Sequence, residues 1–167
     1  MEIGLSFGTN QENRLLHLRS AKDRVLASEN VALVAASHIY ETEPVDVRPE
    51  FADLPFLNSV MIVETALELN VLSDVLHDIE AQMGRVRSSD KNAPRPIDID
   101  VIYADRVIMQ THELTLPHER WSHRRFVVQP LADVRPDLVL PGNHLTVNEL
   151  LQELPQVPRV RRLDDIW

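Results

Sequence analysis

Apolar positions along the chain fall into stretches of period two and stretches of helical period. "EIGLSFG" (2–8) alternates and predicts a strand that ends at Gly8. Leu15, Leu18 and Val25 recur at roughly helical spacing, which predicts a helix capped by Thr9 or Asn10 and running to about Ala27. Lys22 interrupts that stripe and is expected at its edge, with its stem laid along the apolar face. "NVALVAASHIY" (30–40) predicts a second strand. "ETEPVDVRPEFADLP" (41–55) holds three prolines and five acids without a period, so it reads as a long loop, a length that is often functional. "FLNSVMIVETA" (56–66) predicts a third strand. Val71, Leu72, Val75, Leu76, Ile79 and Met83 mark a second amphipathic helix, with Gly84 as its stop.

A polar loop (85–96) leads into "IDIDVIYA" (97–104), a strand that "DR" turns into "VIMQ". A short helix is predicted from Arg124 to Ala132, and "VNELLQEL" predicts a last one. The fold class expected is α+β: a ferredoxin-like βαββαβ core with added C-terminal strand and helix elements. No repeat, low-complexity segment or linker divides residues 1–167, so a single domain is expected.

Composition narrows the function. The chain has no cysteine, which excludes disulfides and thiolate metal sites. Its apolar runs are far shorter than the ~20 residues a membrane span needs, and "MEIGLSFGTN" lacks the basic-then-apolar order of a signal peptide; a soluble, cytoplasmic protein is expected. Seventeen basic residues against 26 acidic give a net charge of −9, which argues against a nucleic-acid partner. Residues 85–125 depart from this balance, with eight basic and six acidic side chains. Because 15 of the 17 basic residues are arginine, planar bidentate contact with a small phosphate or carboxylate ligand is one reading of that cluster. Surface ion pairs are the other.

The densest chemistry lies in "PRPIDID" (94–100). On a strand Asp98 and Asp100 share one face, with Cα atoms about 6.5 Å apart, while Ile97, Ile99 and Val101 share the other. Two carboxylates that close repel unless a cation sits between them, and Mg²⁺ suits a site with one or two carboxylates and substrate phosphates. An exposed strand face with ordinary solvated acids is the alternative. Arg85, Arg87 and Arg95 lead into the pair, an arrangement suited to metal-bound polyphosphate. The chain has no G-x-x-x-x-G-K-[ST] motif and only four scattered glycines, so side chains rather than a glycine-rich loop must hold phosphate.

"GRVRSSDKNAPRPIDIDVI" (84–102) closely resembles the signature of the 6-hydroxymethyl-7,8-dihydropterin pyrophosphokinase family. "FGTN" (7–10), "SHIYETEPV" (37–45), "FLN" (56–58) and "LPHERWSHRRFVVQPLADVRPD" (116–137) resemble further family segments in the same order. The resemblance implies transfer of the β,γ-pyrophosphoryl group of ATP to the hydroxymethyl oxygen of a reduced pterin, with AMP leaving, in folate biosynthesis. It implies that Asp98 and Asp100 bind two Mg²⁺ and that Arg85 and Arg95 stabilise the transferred group. Arg87, His118 and Arg124 would contact ATP phosphates, and Thr115, His77 and Glu80 would line the nucleotide. Phe56 and Phe126 would sandwich the pterin. Asn58 and the backbone of Thr42, Pro44 and Val45 would read its rim. A monomer is the family expectation.

The sequence also departs from the family. Many members carry a tryptophan between the second and third arginines, where this chain has "SSDKNAP". That departure motivates a second reading, a non-catalytic ferredoxin-like module that binds a pterin or nucleotide.

Overall fold

The computed structural model describes residues 1–11, 13–44, 49–86, 94–165 and 167. In chain order these form β1 (Glu2–Thr9), α1 (Arg14–Leu26), β2 (Val31–Ala36), β3 (Tyr40–Thr42), β4 (Phe56–Thr65) and α2 (Leu69–Gln82). There follow β5 (Asp98–Ala104), β6 (Met109–Gln110), β7 (Thr115–Leu116), α3 (Arg125–Val134), α4 (Val147–Glu153) and β8 (Val160–Arg162). The main sheet runs β5-β1-β4-β3-β8, with β2 also paired to β4 and every pairing antiparallel. β6 and β7 form a separate two-stranded ribbon. The molecule is thus a mixed α/β fold built on an antiparallel sheet.

Period two in the central strands sorts the apolar residues into two cores. Ile3, Leu5 and Phe7 of β1 and Leu57, Met61 and Val63 of β4 face α1 and α2, which contribute Leu18, Ala21, Val25, Leu72, Leu76 and Ile79. Val60 and Ile62 face the other way, onto Val127, Val128 and Leu131 of α3 and Val147 of α4. Helices therefore lie on both faces, but the second cover is incomplete. From Ile3 to Thr9 only Ser6 and Gly8 are not fully buried, and both belong to that second face.

Several local expectations change. Thr9 and Asn10 do not cap α1; Asn13 precedes it in the left-handed region at φ 59°, and the Asn10 side chain is used elsewhere. The strand expected over 30–40 is interrupted at 37–39. There the Ser37 hydroxyl accepts the Val60 N–H (2.9 Å), a bond a strand carbonyl would ordinarily take. The first residues of the expected 41–55 loop belong to β3, a turn of 3₁₀ helix spans Pro49–Phe51, and residues 45–48 lie outside the described residues. Val71 lies off the buried stripe of α2 and is 43% exposed.

The C-terminal segment closes the β3 edge. β8 pairs with β3, and Trp167 is buried edge-on to Phe7 at 5.0 Å, its Nε1 donating to the Ser37 carbonyl (2.9 Å). Lys22 reaches over that indole, its Nζ 5.8 Å from the ring centroid, which accounts for a lysine beside the α1 stripe. Among the described residues no helix is long and apolar enough to cross a membrane.

The far end of the sheet is tied by Glu2, whose carboxylate accepts from Arg135 Nη2 (2.6 Å) and from the Tyr103 hydroxyl (2.7 Å). The Arg135 hydrogen bond holds the Glu2 carboxyl below its ordinary value of 4.5. The unfolded chain therefore binds the proton first as pH falls, so this contribution to stability is full above about pH 4.5 and is lost below it. Glu2→Gln should lower the melting temperature at neutral pH and shrink the difference from wild type on acidification, as read in thermal melts from about pH 6 to about pH 3.

Candidate active site

Strand register assembles the site. Gly8 of β1 stands opposite Asn58 of β4 and opposite Asp98 of β5, and Tyr40 of β3 stands opposite Asn58. Paired residues share a face, so Asp98, Gly8, Asn58 and Tyr40 form one row across four strands on the incompletely covered face. Asp100, opposite Ser6, lies in the next row. Ile97, Ile99 and Val101 point into the core against α2, as the alternation predicts.

Asp98 is held by two arginines. Arg95 Nη1 donates to its Oδ2 (2.8 Å), and Arg85 Nη1 donates to its Oδ1 and to Glu80 Oε1. Glu80 is 2% exposed, and its Oε1 also accepts the Ile99 N–H (2.7 Å). β5 is an edge strand, so this N–H points away from β1, and Glu80 supplies its acceptor. Arg85 is placed by the end of α2, where Gly84 at φ 91° reverses the chain. Arg95 is placed by a residue that local sequence patterns miss. Asn10 Oδ1 accepts the Arg95 N–H (2.9 Å), the Asn10 N–H donates to the Arg95 carbonyl (3.3 Å), and Gln11 Nε2 donates to the Pro94 carbonyl (3.2 Å). The only signal was "FGTN" itself, an amide at the end of a strand.

Asp100 differs from Asp98 in that its charge is poorly compensated. Burial, and then the neighbouring Asp98 carboxylate, push its carboxyl up to about 7, with Arg124 and Arg85 offsetting only part. Charges at the ~6.5 Å spacing of their Cα atoms would repel by about 2.5 kcal/mol at an effective dielectric near 20, which is more than an exposed ion pair returns. Among the described residues no third His, Asp or Glu joins the pair in a metal-binding cluster. Two carboxylates, without nitrogen or sulfur ligands, fit a hard cation that completes its shell from water and phosphate.

His118 and Arg124 border the pair. Burial and the charges of Arg124 and Arg120 hold His118 below its ordinary value, so it is neutral. Its Nδ1 accepts the Arg120 N–H (3.1 Å), which puts the imidazole proton on Nε2 as a donor. Of the two adjacent arginines, Arg125 is spent on the carbonyls of Leu151 (3.1 Å) and Leu154 (3.0 Å) at the end of α4. Arg124 lies 5.6 Å from the Phe126 ring centroid and feels both aspartates.

Asn58 is buried within an apolar strand, and its Nδ2 donates to Thr42 Oγ1 (2.9 Å). Phe56 and Phe126 are half-buried, and the Arg95 guanidinium lies 5.9 Å from the Phe56 centroid. Pro44 is half-buried beyond β3, and Thr115 is half-buried in β7. His77 is exposed on α2, while Glu80 turns inward. Val45 and Arg87 lie outside the described residues.

A model of the 7,8-dihydro-6-hydroxymethylpterin-pyrophosphokinase family matches residues 4–136. The chain belongs to this family. A 2-amino-4-hydroxy-6-hydroxymethyldihydropteridine pyrophosphokinase of Methylorubrum extorquens is 36% identical over 151 residues, covering 90% of this chain and 91% of that protein. The folic acid synthesis protein fol1 of Schizosaccharomyces pombe is 34% identical over 152 residues, but the chain spans only 20% of its length. The wild-type HPPK-DHPS of Plasmodium falciparum, solved with pteroate, shares the fold at a TM-score of 0.69 and 15% identity, over 90% of this chain and 42% of that one.

Two outcomes follow for this pyrophosphokinase-family site. Because the folded Asp100 carboxyl titrates near 7 against an ordinary 3.8, the folded state holds its proton longer, and stability falls as pH rises between those values. Asp100→Asn should therefore raise the melting temperature in chelator-treated protein, with a larger gain at about pH 8 than at about pH 5, as read by calorimetry. Glu80→Ala should cost about 1–3 kcal/mol in urea melts, because it orphans the buried Ile99 N–H and releases Arg85.

Proposed function

We propose that this chain transfers the pyrophosphoryl group of ATP to 6-hydroxymethyl-7,8-dihydropterin and releases AMP, a step of folate biosynthesis. The observation that carries the reading is the row Asp98–Gly8–Asn58. It sets an anionic, arginine-bordered end beside a buried amide that suits a heteroaromatic rim. Family membership over residues 4–136 supports the same assignment. The core is read as ferredoxin-like, with β2 and β3 counted as one interrupted strand. The antiparallel order β5-β1-β4-β3 supports that reading. Residues 1–167 are read as one catalytic domain, monomeric and cytoplasmic.

In this reading Asp98 and Asp100 hold two Mg²⁺. When bound, Mg²⁺ neutralises phosphate oxygens and so favours attack on the β-phosphorus. The remaining roles belong to the chain's own groups. The hydroxymethyl oxygen bonds to the β-phosphorus as the bond from that phosphorus to the α-phosphate oxygen breaks, and the hydroxyl proton leaves. Arg85 and Arg95 accompany the charge on the transferred group, while Arg124, Arg87 and the Nε2–H of His118 bind phosphate oxygens. Thr115, His77 and Glu80 belong to the nucleotide side, Glu80 through its hold on Arg85. Phe56 and Phe126 take the pterin faces, and Asn58 with the Thr42–Val45 backbone takes the rim. Little covalent chemistry falls to the protein, so positioning supplies most of the acceleration.

Mass spectrometry of products from ATP, Mg²⁺ and 6-hydroxymethyl-7,8-dihydropterin tests the reading directly. The pyrophosphorylated pterin and AMP should appear together and disappear with EDTA. Asp98→Asn and Asp100→Asn should each lower turnover by at least about 10²-fold while leaving a cooperative thermal transition. Binding of pterin and nucleotide without AMP would instead favour a non-catalytic module. Turnover that survives either substitution would remove the metal role.

A further inference from the structure

The four glycines of the chain have three different physical explanations. Gly84 and Gly142 sit at φ 91° and 80°, where the backbone itself favours glycine. Gly4 and Gly8 lie inside β1 without that need, so space must distinguish them. A Cβ at Gly4 would stand 2.3 Å from Tyr103 Cε1, and the packed ring forbids it. At Gly8 the nearest atom to a Cβ among the described residues is Asn58 Oδ1 at 3.4 Å, an ordinary contact, and no other described residue comes within 4 Å.

The protein's own packing would therefore accept alanine at position 8. A central strand is a poor place for glycine, which weakens it unless something else approaches the backbone closely. β1 is such a strand, with β4 on one side and β5 on the other. Gly8 lies on the face that α3 and α4 leave partly open, between Asn58 and Asp98 in the register. Two strand spacings separate those residues, about 9–10 Å, and bare backbone is the floor between them. The amide oxygen of Asn58 lies beside that floor, where an added methyl group would meet it.

We propose that Gly8 determines specificity for the flat substrate: its missing side chain leaves a floor for the edge of the pterin ring held between Phe56 and Phe126, beside Asn58 and with the hydroxymethyl arm toward the aspartates. The inference rests on the function proposed above and deepens it. A methyl group at position 8 occupies the volume of the ring while leaving the nucleotide side untouched.

Gly8→Ala, Gly8→Val and Gly4→Ala separate the possibilities when each is melted, titrated with 6-hydroxymethyl-7,8-dihydropterin, and assayed for pterin-dependent AMP formation. Gly8→Ala should melt within about 2 °C of wild type or above it, because replacing glycine stiffens the unfolded chain. Its KM and Kd for pterin should rise about 10- to 100-fold, with the KM for ATP changed less than about two-fold. Gly8→Val should lose pterin binding further. Gly4→Ala should show the opposite signature, a lower melting temperature with pterin affinity kept. A stable Gly8→Ala with pterin affinity within about two-fold of wild type overturns the inference. So does a Gly8→Ala that melts as low as Gly4→Ala, because its glycine would then be a packing requirement. Wild type that binds the pterin without forming AMP overturns the proposed reaction only, since the titrations still test the floor. Wild type that neither binds nor turns over the pterin overturns both.

Discussion

Antiparallel register across β5, β1, β4 and β3 is the constraint on which the site depends. Each strand alone offers only period two, which sends one set of side chains to the α1–α2 core and the other set to the opposite face. Pairing converts those sets into rows. Asp98, Gly8, Asn58 and Tyr40 are separated by tens of residues in sequence, yet one line of strand partners brings them abreast. A one-residue slip of β5 against β1 would bury both aspartates against α2 and turn Ile97, Ile99 and Val101 to the surface. The core that fixes the fold therefore also fixes the carboxylates, and the two cannot be altered independently.

Charge is the second organising quantity. The body of the molecule is acidic, and the arginines near β5 are deployed singly rather than as a field. Arg125 stops α4, Arg135 fastens Glu2 at the far end of the sheet, and Arg14 and Arg161 share Glu41 beside β3. Arg85 and Arg95 are spent on Asp98. Asp100 is left half-buried beside a like charge that Arg124 and Arg85 offset only in part. That imbalance is what separates the pair from two solvated acids on a strand, the alternative the sequence left open.

Much of this was readable before any coordinates. The alternation of "IDIDV" puts both aspartates on one face because strand geometry allows nothing else, and Asn58 stands out because an amide inside an apolar strand requires a partner. The two long helices and the main strands along the chain follow from the same local periodicities. What escaped was non-local. Asn10 looks like a helix cap, since its real partner, the Arg95 backbone, is 85 residues away. Glu80 reads from the sequence as a nucleotide-lining residue, and only the edge of β5, with its Ile99 N–H, shows what draws it inward. The Ser37 interruption rests on a hydroxyl whose competitor for the Val60 N–H lies on another strand. Gly4 and Gly8 are identical by local rule and differ only in what lies above them.

In the function proposed, the arginines that balance Asp98 would also bind phosphate. The Arg85 guanidinium, held by Glu80 and Asp98, and the Arg95 guanidinium, held by Asp98 on a backbone that Asn10 clamps, are oriented before an anion arrives, so less side-chain freedom would be lost on turning from carboxylate to phosphate oxygen. Under that proposal Asp98 and Asp100 would hold the metal, whose charge would offset their repulsion and loosen the hold of Asp98 on Arg85 and Arg95. The two cations would then be free to follow the phosphate charge that enters with the metal. Each positive group would exchange one negative partner for another, and no step would leave a buried charge alone. A glycine-rich cradle achieves phosphate binding with backbone dipoles. In the proposed function the same end would be reached with side chains whose resting partner is Asp98, which would link nucleotide binding to the state of the carboxylate pair.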